Sequence, residues 1–339
     1  MKATRSAFLA VPAVLFAVGC GRLESDPGRT GRDVLCVAAV PSPETRTEYR
    51  EGTWTHGELT PIDWVEGDRV RIYSPEAQTA GGDHFADYSL SPEQDRSRSL
   101  LSSRYGLQWK DESEHSFYGL YPAPETDNSS VILAGVYGHF TFTIPESQPD
   151  GSQMRYAAMT GAVHHLLMTS ENPVVIPFYP AFSSYEVVLE GVGEDDVYLN
   201  GVALESETPA TAPMSGTMSF SAREGLPDVG PFTETSGRAG MTFPGEGVPL
   251  REGSSVMALV IALPVDAGRV SLVITRTFEG TRATYSMPLE KDGEWVLFPA
   301  FGRHRITGVV SPEQTHLITV NSNTVAWNRL PNVNTDVLP

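Results

Sequence analysis

Cysteine is almost absent from this chain. Two cysteines in 339 residues, Cys20 and Cys36, cannot build a disulfide framework, so stability must come from hydrophobic cores. Positive charge is also scarce, with 24 Lys and Arg against 42 Asp and Glu and a formal charge of −18. A surface so acidic repels polyanions, which excludes nucleic acid as a partner and electrostatic docking on anionic lipid. The apolar run at residues 7–18 falls well short of the roughly 20 residues a spanning helix needs. Helical periodicity is weak throughout. The catalytic signatures are missing too: there is no GxSxG elbow, no HExxH, no GxGxxG after a strand and no phosphate-binding loop. A non-enzymatic chain with no cofactor is expected.

What the chain does have starts at its N-terminus. Lys2 and Arg5 precede the 7–18 apolar run, and Ala17, Val18 and Gly19 lead directly into Cys20. A basic start, a short apolar region and small residues have the order of a secretory signal peptide. The cysteine directly after them resembles a bacterial lipobox, with cleavage between Gly19 and Cys20 and acylation of Cys20. Ala17 stands where leucine is usual, and an ordinary signal peptide containing a cysteine is the competing reading. Loss of residues 1–19 takes Lys2 and Arg5 away and makes the chain two charges more acidic.

Residues 20–32 are polar and glycine-containing and read as a flexible tether. Residues 33–40 (DVLCVAAV) form the first strand candidate, apolar on both faces and so expected between two layers. Its larger apolar members are Val34, Leu35, Cys36, Val37 and Val40. Prolines 41 and 43 break it, and Arg46 follows. Further on, Glu66-Gly67-Asp68 is turn chemistry. After it Val70 and Ile72 alternate with Arg69, Arg71 and Tyr73, as in a half-buried strand. Residues 116–121 and 138–144 are strand-like, whereas 145–153 reads as loop. In 174–189, two apolar runs broken by Pro177 and Pro180 predict a change of direction or of sheet. Asn200-Gly201 predicts a two-residue hairpin. Residues 256–265 and 270–275, around Asp266-Ala267-Gly268-Arg269, predict another, as do 282–289 and 294–298. Abundant glycine and proline (31 and 26 residues) with short, closely spaced strands imply an all-β protein of two β-sandwiches. The expected domains are 33–182 and 183–339, meeting near Phe182, the second with a short polar tail.

Few residues suggest chemistry. His164 and His165 are adjacent, but neighbours on a strand point to opposite faces and cannot readily share a metal; no metal site is expected. Glu194-Asp195-Asp196 reads as a solvated turn. Cys36, inside an apolar strand, reads as an inert buried thiol. Trp64, Trp295 and Trp327 sit in strand patterns and read as core. Trp54 and Trp109 lie in looser sequence and are the better candidates for exposed contacts, such as stacking on a sugar.

Several segments, read in order, resemble the fimbrillin family of Bacteroidia-type (type V) pili. They are Thr45-Arg46-Thr47; Trp64 with Gly67-Asp68; Tyr121-Pro122-Ala123; Phe142-Thr143-Ile144-Pro145 with Gln148; Tyr156-Ala157-Ala158-Met159; residues 174–182; and Trp327. The resemblance implies two tandem transthyretin-like β-sandwich domains and export as an outer-membrane lipoprotein. It further implies a structural or adhesive fimbrial subunit at the cell surface. Its partners would be other fimbrial subunits, the outer membrane through a lipid on Cys20, and host or bacterial surface ligands. In polymerising members an Arg-specific protease removes the first strand, and a neighbour's terminal strand fills the groove. Arg46 and Arg50 are the matching cleavage candidates here; cleavage at Arg29 or Arg32 would keep the strand. The tail after Trp327 is thin for a donor strand, which leaves stalk, tip and anchor roles open. The alternatives are a surface glycan-binding lipoprotein and a secreted hydrolase.

Overall fold

The turn at Glu66-Gly67 and the strand after it show how local chemistry sets the first sheet. Gly67 takes φ +87°, which glycine adopts without steric cost. Strand Arg69–Tyr73 then buries Val70 and Ile72 and leaves Arg69 exposed and Arg71 half-exposed. The structure is a computed structural model. It describes residues 33–39, 48–49, 62–94, 98–124, 131–133, 138–149, 154–168, 173–222, 227–312 and 315–321. Among them the protein is all-β: the one helical element is a single 3₁₀ turn at Met154–Tyr156.

The first sheet has eight strands. From one edge, their order is Val174–Pro177, Cys36–Ala39, Arg98–Ser102, Phe85–Pro92, Arg69–Tyr73, His115–Tyr121, Met159–Leu166 and Tyr179–Pro180. Its two ends belong to one segment. Strand Val174–Pro177 pairs with Cys36–Ala39, and Tyr179–Pro180 pairs with Met159–Leu166, with Phe178 alone between them. The prolines that argue against a continuous strand therefore mark the place where the chain leaves one edge and joins the other. Two glycines make room for the switch. A β-carbon on Gly161 would lie 1.6 Å from the Pro177 carbonyl oxygen, and one on Gly119 would lie 2.5 Å from the Phe178 ring. Phe178 is fully buried and meets Trp64 edge-on, centroids 5.7 Å apart.

Strand Ser183–Gly191 opens another sheet, between Ser255–Ala262 (antiparallel) and Arg303–Val310 (parallel). Facing it across an apolar layer is a sheet built on Val197–Ser206, Arg238–Thr242, Val270–Phe278 and Thr281–Pro288. A further sheet joins Val131–Leu133 and His139–Ile144 to Ser215–Ser221 and Asp228–Ser236. Residues Arg32–Pro339 group into one unit containing two hydrophobic clusters. The first draws on Phe117, Phe140 and Phe178 but also on Met218, Leu259 and Ile261. The second lies between the two later sheets, around Tyr185, Leu204, Ile274 and Phe298.

Some local expectations fail for physical reasons. Asn200-Gly201 is no hairpin: strand Val197–Ser206 runs through it with a bulge between Leu199 and Gly201. The Asn200 amide is used elsewhere, donating to the Glu246 carbonyl at 2.8 Å and accepting from Thr277 Oγ1 at 2.7 Å. The runs around 256–265 and 270–275 do not pair. They lie in facing sheets, and both supply the second cluster, through Val260 and Ala262 on one side and Leu272 and Ile274 on the other. Strand Val270–Phe278 pairs instead with Thr281–Pro288. The turn between them, Glu279-Gly280, has both residues at positive φ, as a primed hairpin turn needs. Within 145–153, Ser147–Gln148 is a short strand parallel to Gly240–Met241. Gln148 is buried, bonding both the N–H and the carbonyl of Ile261. Glu194, Asp195 and Asp196 are exposed.

Candidate assembly site

The first strand is held on both sides. Asp33 opens it with a bridge to Gln108, whose Nε2 donates to Asp33 Oδ1 at 3.0 Å. The Val34 N–H donates to the Leu107 carbonyl at 2.9 Å. From Cys36 to Ala39 the strand runs antiparallel to Arg98–Ser102 and parallel to Val174–Pro177, with Cys36 opposite both Leu101 and Val174. The Leu35 and Ala39 carbonyls accept from the N–H groups of Val174 and Phe178, at 2.7 and 2.8 Å.

Alternation divides its side chains. Val34, Cys36 and Ala38 belong to the first cluster, beside Leu101, Val174 and Ile176. Val37, on the opposite face, is also buried, although its ladder partners Leu100 and Val175 are exposed. Leu35 is half-buried. Fully burying a valine side chain contributes about 1.5–3 kcal/mol, so this short segment is a substantial part of the first core. Its removal would uncover the Leu101 and Ile176 side chains and leave two rows of backbone groups without ladder partners, each costly when shielded from water.

Cys36 carries no chemistry in this position. Burial pushes its thiol up to about 12, partly offset by a hydrogen bond with Tyr88. A thiol so protonated is a packing group, not a nucleophile. Gly19, Cys20, Val40, Arg46 and Arg50 lie outside the described residues, as do Arg29, Arg32, Trp54 and Trp327.

Trp64 is core, as expected, while Trp295 is half-buried. Trp109, expected as an exposed contact, is instead buried. Its ring packs edge-on against His115 and Phe117, 4.9 and 5.3 Å between centroids. The loose sequence around it hid that packing, because the strand that covers it begins only at His115. His164 and His165 sit where the register shifts between Val163 and Leu166, and His165 takes φ +57°. Its Nδ1 pairs with Glu114 Oε2 at 2.7 Å. Among the described residues no three His, Cys, Asp or Glu side chains are grouped to hold a metal. No helix among them is long and apolar enough to cross a membrane.

The sequence reading missed the walls of the groove and its closure. Gly119 and Gly161 were the available signal: glycine inside a strand often marks a close backbone approach. It also missed a buried ionic group on the sheet that follows Ser183. Glu186, Arg303 and Arg305 lie on paired strands, with Arg303 Nη2 at 2.9 Å from Glu186 Oε1 and Arg305 Nη2 at 3.3 Å from Oε2.

The architecture is all-β, with a first strand threaded between later ones. No protein-family profile matches the chain, and a search of curated proteins gives no match. Solved structures do match. A candidate cell adhesion protein from Bacteroides uniformis is 16% identical and superposes with a TM-score of 0.52, over 88% of this chain and 100% of that one. A second, from Bacteroides ovatus, is 12% identical with a TM-score of 0.51, over 86% and 97%. A fimbrial protein from Bacteroides vulgatus aligns more loosely, at 11% identity and a TM-score of 0.39 over 76% and 93%, and at that distance adds nothing to the assignment. At these identities the likeness is one of fold. The resemblance to fimbrillins and the likeness to Bacteroides adhesion proteins agree on an all-β fold.

Proposed function

We propose that the chain is a non-catalytic structural and adhesive subunit of a cell-surface fimbria. In this reading it is exported as a lipoprotein acylated on Cys20, held at the outer membrane, and assembled by strand addition between subunits. The observation that carries it is the first strand. Cys36–Ala39 fills a slot between two later strands, with Val34, Cys36 and Ala38 in the core. A slot of that kind accepts a replacement strand of similar pattern, main-chain bonds giving affinity and side-chain pockets giving selectivity. The likeness in fold to cell adhesion proteins supports the same reading. Two transthyretin-like sandwiches, 33–182 and 183–339, would meet near Phe182. The sheet that mixes Val131–Leu133 and His139–Ile144 with Ser215–Ser221 and Asp228–Ser236 would be their joint.

Cleavage after Arg46 or Arg50 would cut the strand's covalent link and release it with the lipid on Cys20. The test is N-terminal sequencing of protein recovered from the cell surface, with an Arg-specific protease applied to the purified precursor. A new N-terminus at Thr47 or Glu51, accompanied by assembly or loss of stability, supports the mechanism. A cut product as monomeric and stable as the precursor overturns strand addition at this slot. A wild-type protein without an acyl chain, or a Cys20→Ala protein still in the membrane fraction, overturns the anchor; two or more chains are needed for stable retention. The alternative of a glycan-binding lipoprotein built on exposed tryptophans loses Trp109, which is buried.

A further inference from the structure

The outer face of the eight-stranded sheet holds an open cleft of about 780 Å³, bordered by the end of strand Arg98–Ser102, whose other residues pair with the first strand. The ladder lays its floor: Arg69 stands opposite Ser89, Arg71 opposite Asp87, and Ser89 opposite Ser102. Alternation sends Ala86, Tyr88 and Leu90 into the core and turns Phe85, Asp87 and Ser89 outward. One wall is the loop 79–83, tied tightly to itself. The Thr79 N–H donates to the Asp83 carbonyl at 2.8 Å, and the Asp83 N–H donates back to Thr79 Oγ1 at 3.1 Å. The other wall is 103–105, from which Tyr105 projects with 69% of its surface exposed.

Two features mark the cleft. The first is aromatic. Tyr105 has the Arg104 guanidinium 5.3 Å from its ring centroid, and the half-exposed Phe85 is covered in the same way by Arg71 at 4.8 Å. Both rings offer a flat apolar face, and Tyr105 adds a polar hydroxyl at its tip. The second is charge. Asp87 accepts from Arg69 Nη2 at 2.7 Å and from Arg71 Nη2 at 2.9 Å, so two guanidinium groups already engage its carboxylate. Arg69 and Arg104 line the cleft beside Asp83 and Asp87, and Arg71, behind the lining, neutralises Asp87. That leaves two guanidinium groups facing the cleft against the Asp83 carboxylate, on a chain whose formal charge is −18. A guanidinium has five N–H donors, so Arg69 can serve Asp87 and a second anion.

We propose that this cleft binds an acidic sugar, a pyranose bearing a carboxylate. The carboxylate meets Arg69 and Arg104, the C–H face of the ring stacks on Tyr105, and the ring hydroxyls meet Ser89, Ser102 and Ser103. An acidic peptide would satisfy the arginines but would make little use of an exposed ring beside a row of hydroxyls. The site is independent of strand addition and stands or falls separately from it.

The test uses the purified full chain. Heteronuclear NMR or calorimetric titrations are run with 3′-sialyllactose and hyaluronan hexasaccharide, against lactose and chitohexaose as neutral counterparts and a glutamate-rich peptide as the acidic non-sugar. The expected result is saturable binding of at least one acidic saccharide, at least tenfold tighter than its neutral counterpart. Tyr105→Ala and Arg104→Gln should each weaken it tenfold or more. Both side chains are at the surface, and circular dichroism and thermal midpoints equal to wild type show that the variants are folded. No binding of either acidic saccharide overturns the proposal. So does binding indifferent to both substitutions, or binding of the peptide alone.

Discussion

Phe178 and Gly119 offer the sharpest check on how the first sheet closes. The Phe178 ring is fully buried, and a β-carbon on Gly119 would sit 2.5 Å from its edge. Phe178→Ala removes the ring from beside Trp64 and Ile176 and leaves a cavity, at a cost of about 3–5 kcal/mol. Gly119→Ala forces the new methyl into the ring, at a cost of about 1–3 kcal/mol, offset in part by the roughly 0.5–1 kcal/mol that alanine gains over glycine inside a strand. The two losses should not add. In the double variant the methyl enters space the ring has vacated, so the clash with the ring disappears, leaving only the tight 3.2 Å contact with Ile176 Cγ2, and part of the cavity is filled. The double variant should therefore be more stable than the sum of the single losses predicts, by about 1–2 kcal/mol, within the range measured for residues in contact. Urea denaturation followed by tryptophan fluorescence gives the four stabilities of the cycle. Additivity within about 0.5 kcal/mol would refute the claim that Gly119 is there to admit Phe178.

Three other outcomes follow from buried groups. Burial lowers the His304 imidazole from 6.5 to about 4; the unfolded chain takes up the proton first as pH falls, so stability drops between about pH 6.5 and 4, by up to about 3 kcal/mol. Urea midpoints at pH 7 and pH 4.5 should fall further apart for wild type than for His304→Leu, and an equal fall would show that His304 is not the cause. Cys36, its thiol pushed up to about 12, should resist alkylation at pH 8 in the folded protein and react in denaturant; site-mapped labelling at a free-thiol rate in the native state would contradict the burial. Glu186→Gln should cost about 3–5 kcal/mol, because it leaves the Arg303 and Arg305 guanidinium groups without their buried carboxylate; a loss below about 1 kcal/mol in the same denaturation assay would show that the cluster is not held by charge.

What the sequence revealed was local. The alternation of Arg69, Val70, Arg71 and Ile72 is a property of neighbouring residues, and the strand it implies is present. The run at 33–40 reads as buried on both faces for the same reason, and Cys36 and Val37 within it are both buried. What it hid was pairing across distance. The turn residues in 266–269 are compatible with a hairpin, and nothing near them reveals that the flanking runs face each other from separate sheets. Asn200-Gly201 has the chemistry of a tight turn, but Thr277 and Glu246, remote in sequence, claim the amide and hold the strand straight. Trp109 looked exposed because the residues that bury it come later in the chain. The cleft walled by 79–83 and 103–105 was likewise invisible, since residues 75–114 are polar and loop-rich in sequence, with one short apolar patch at 105–109, although strands Phe85–Pro92 and Arg98–Ser102 run through them.

The pairing of Cys36 with Val174 has a consequence for the order of folding. A parallel neighbour so far along the chain cannot be recruited until about half of the 339-residue polypeptide is present, and long-range parallel pairing is intrinsically slow. Residues 36–39 therefore wait, after they have been made, for a partner about 140 residues further along the chain. Until residues 174–177 arrive, one side of that strand is unpaired and its apolar residues are open to other chains. Keeping the newborn chain apart from its siblings during that interval falls to the mutual repulsion of its acidic side chains, on a formal charge of −18.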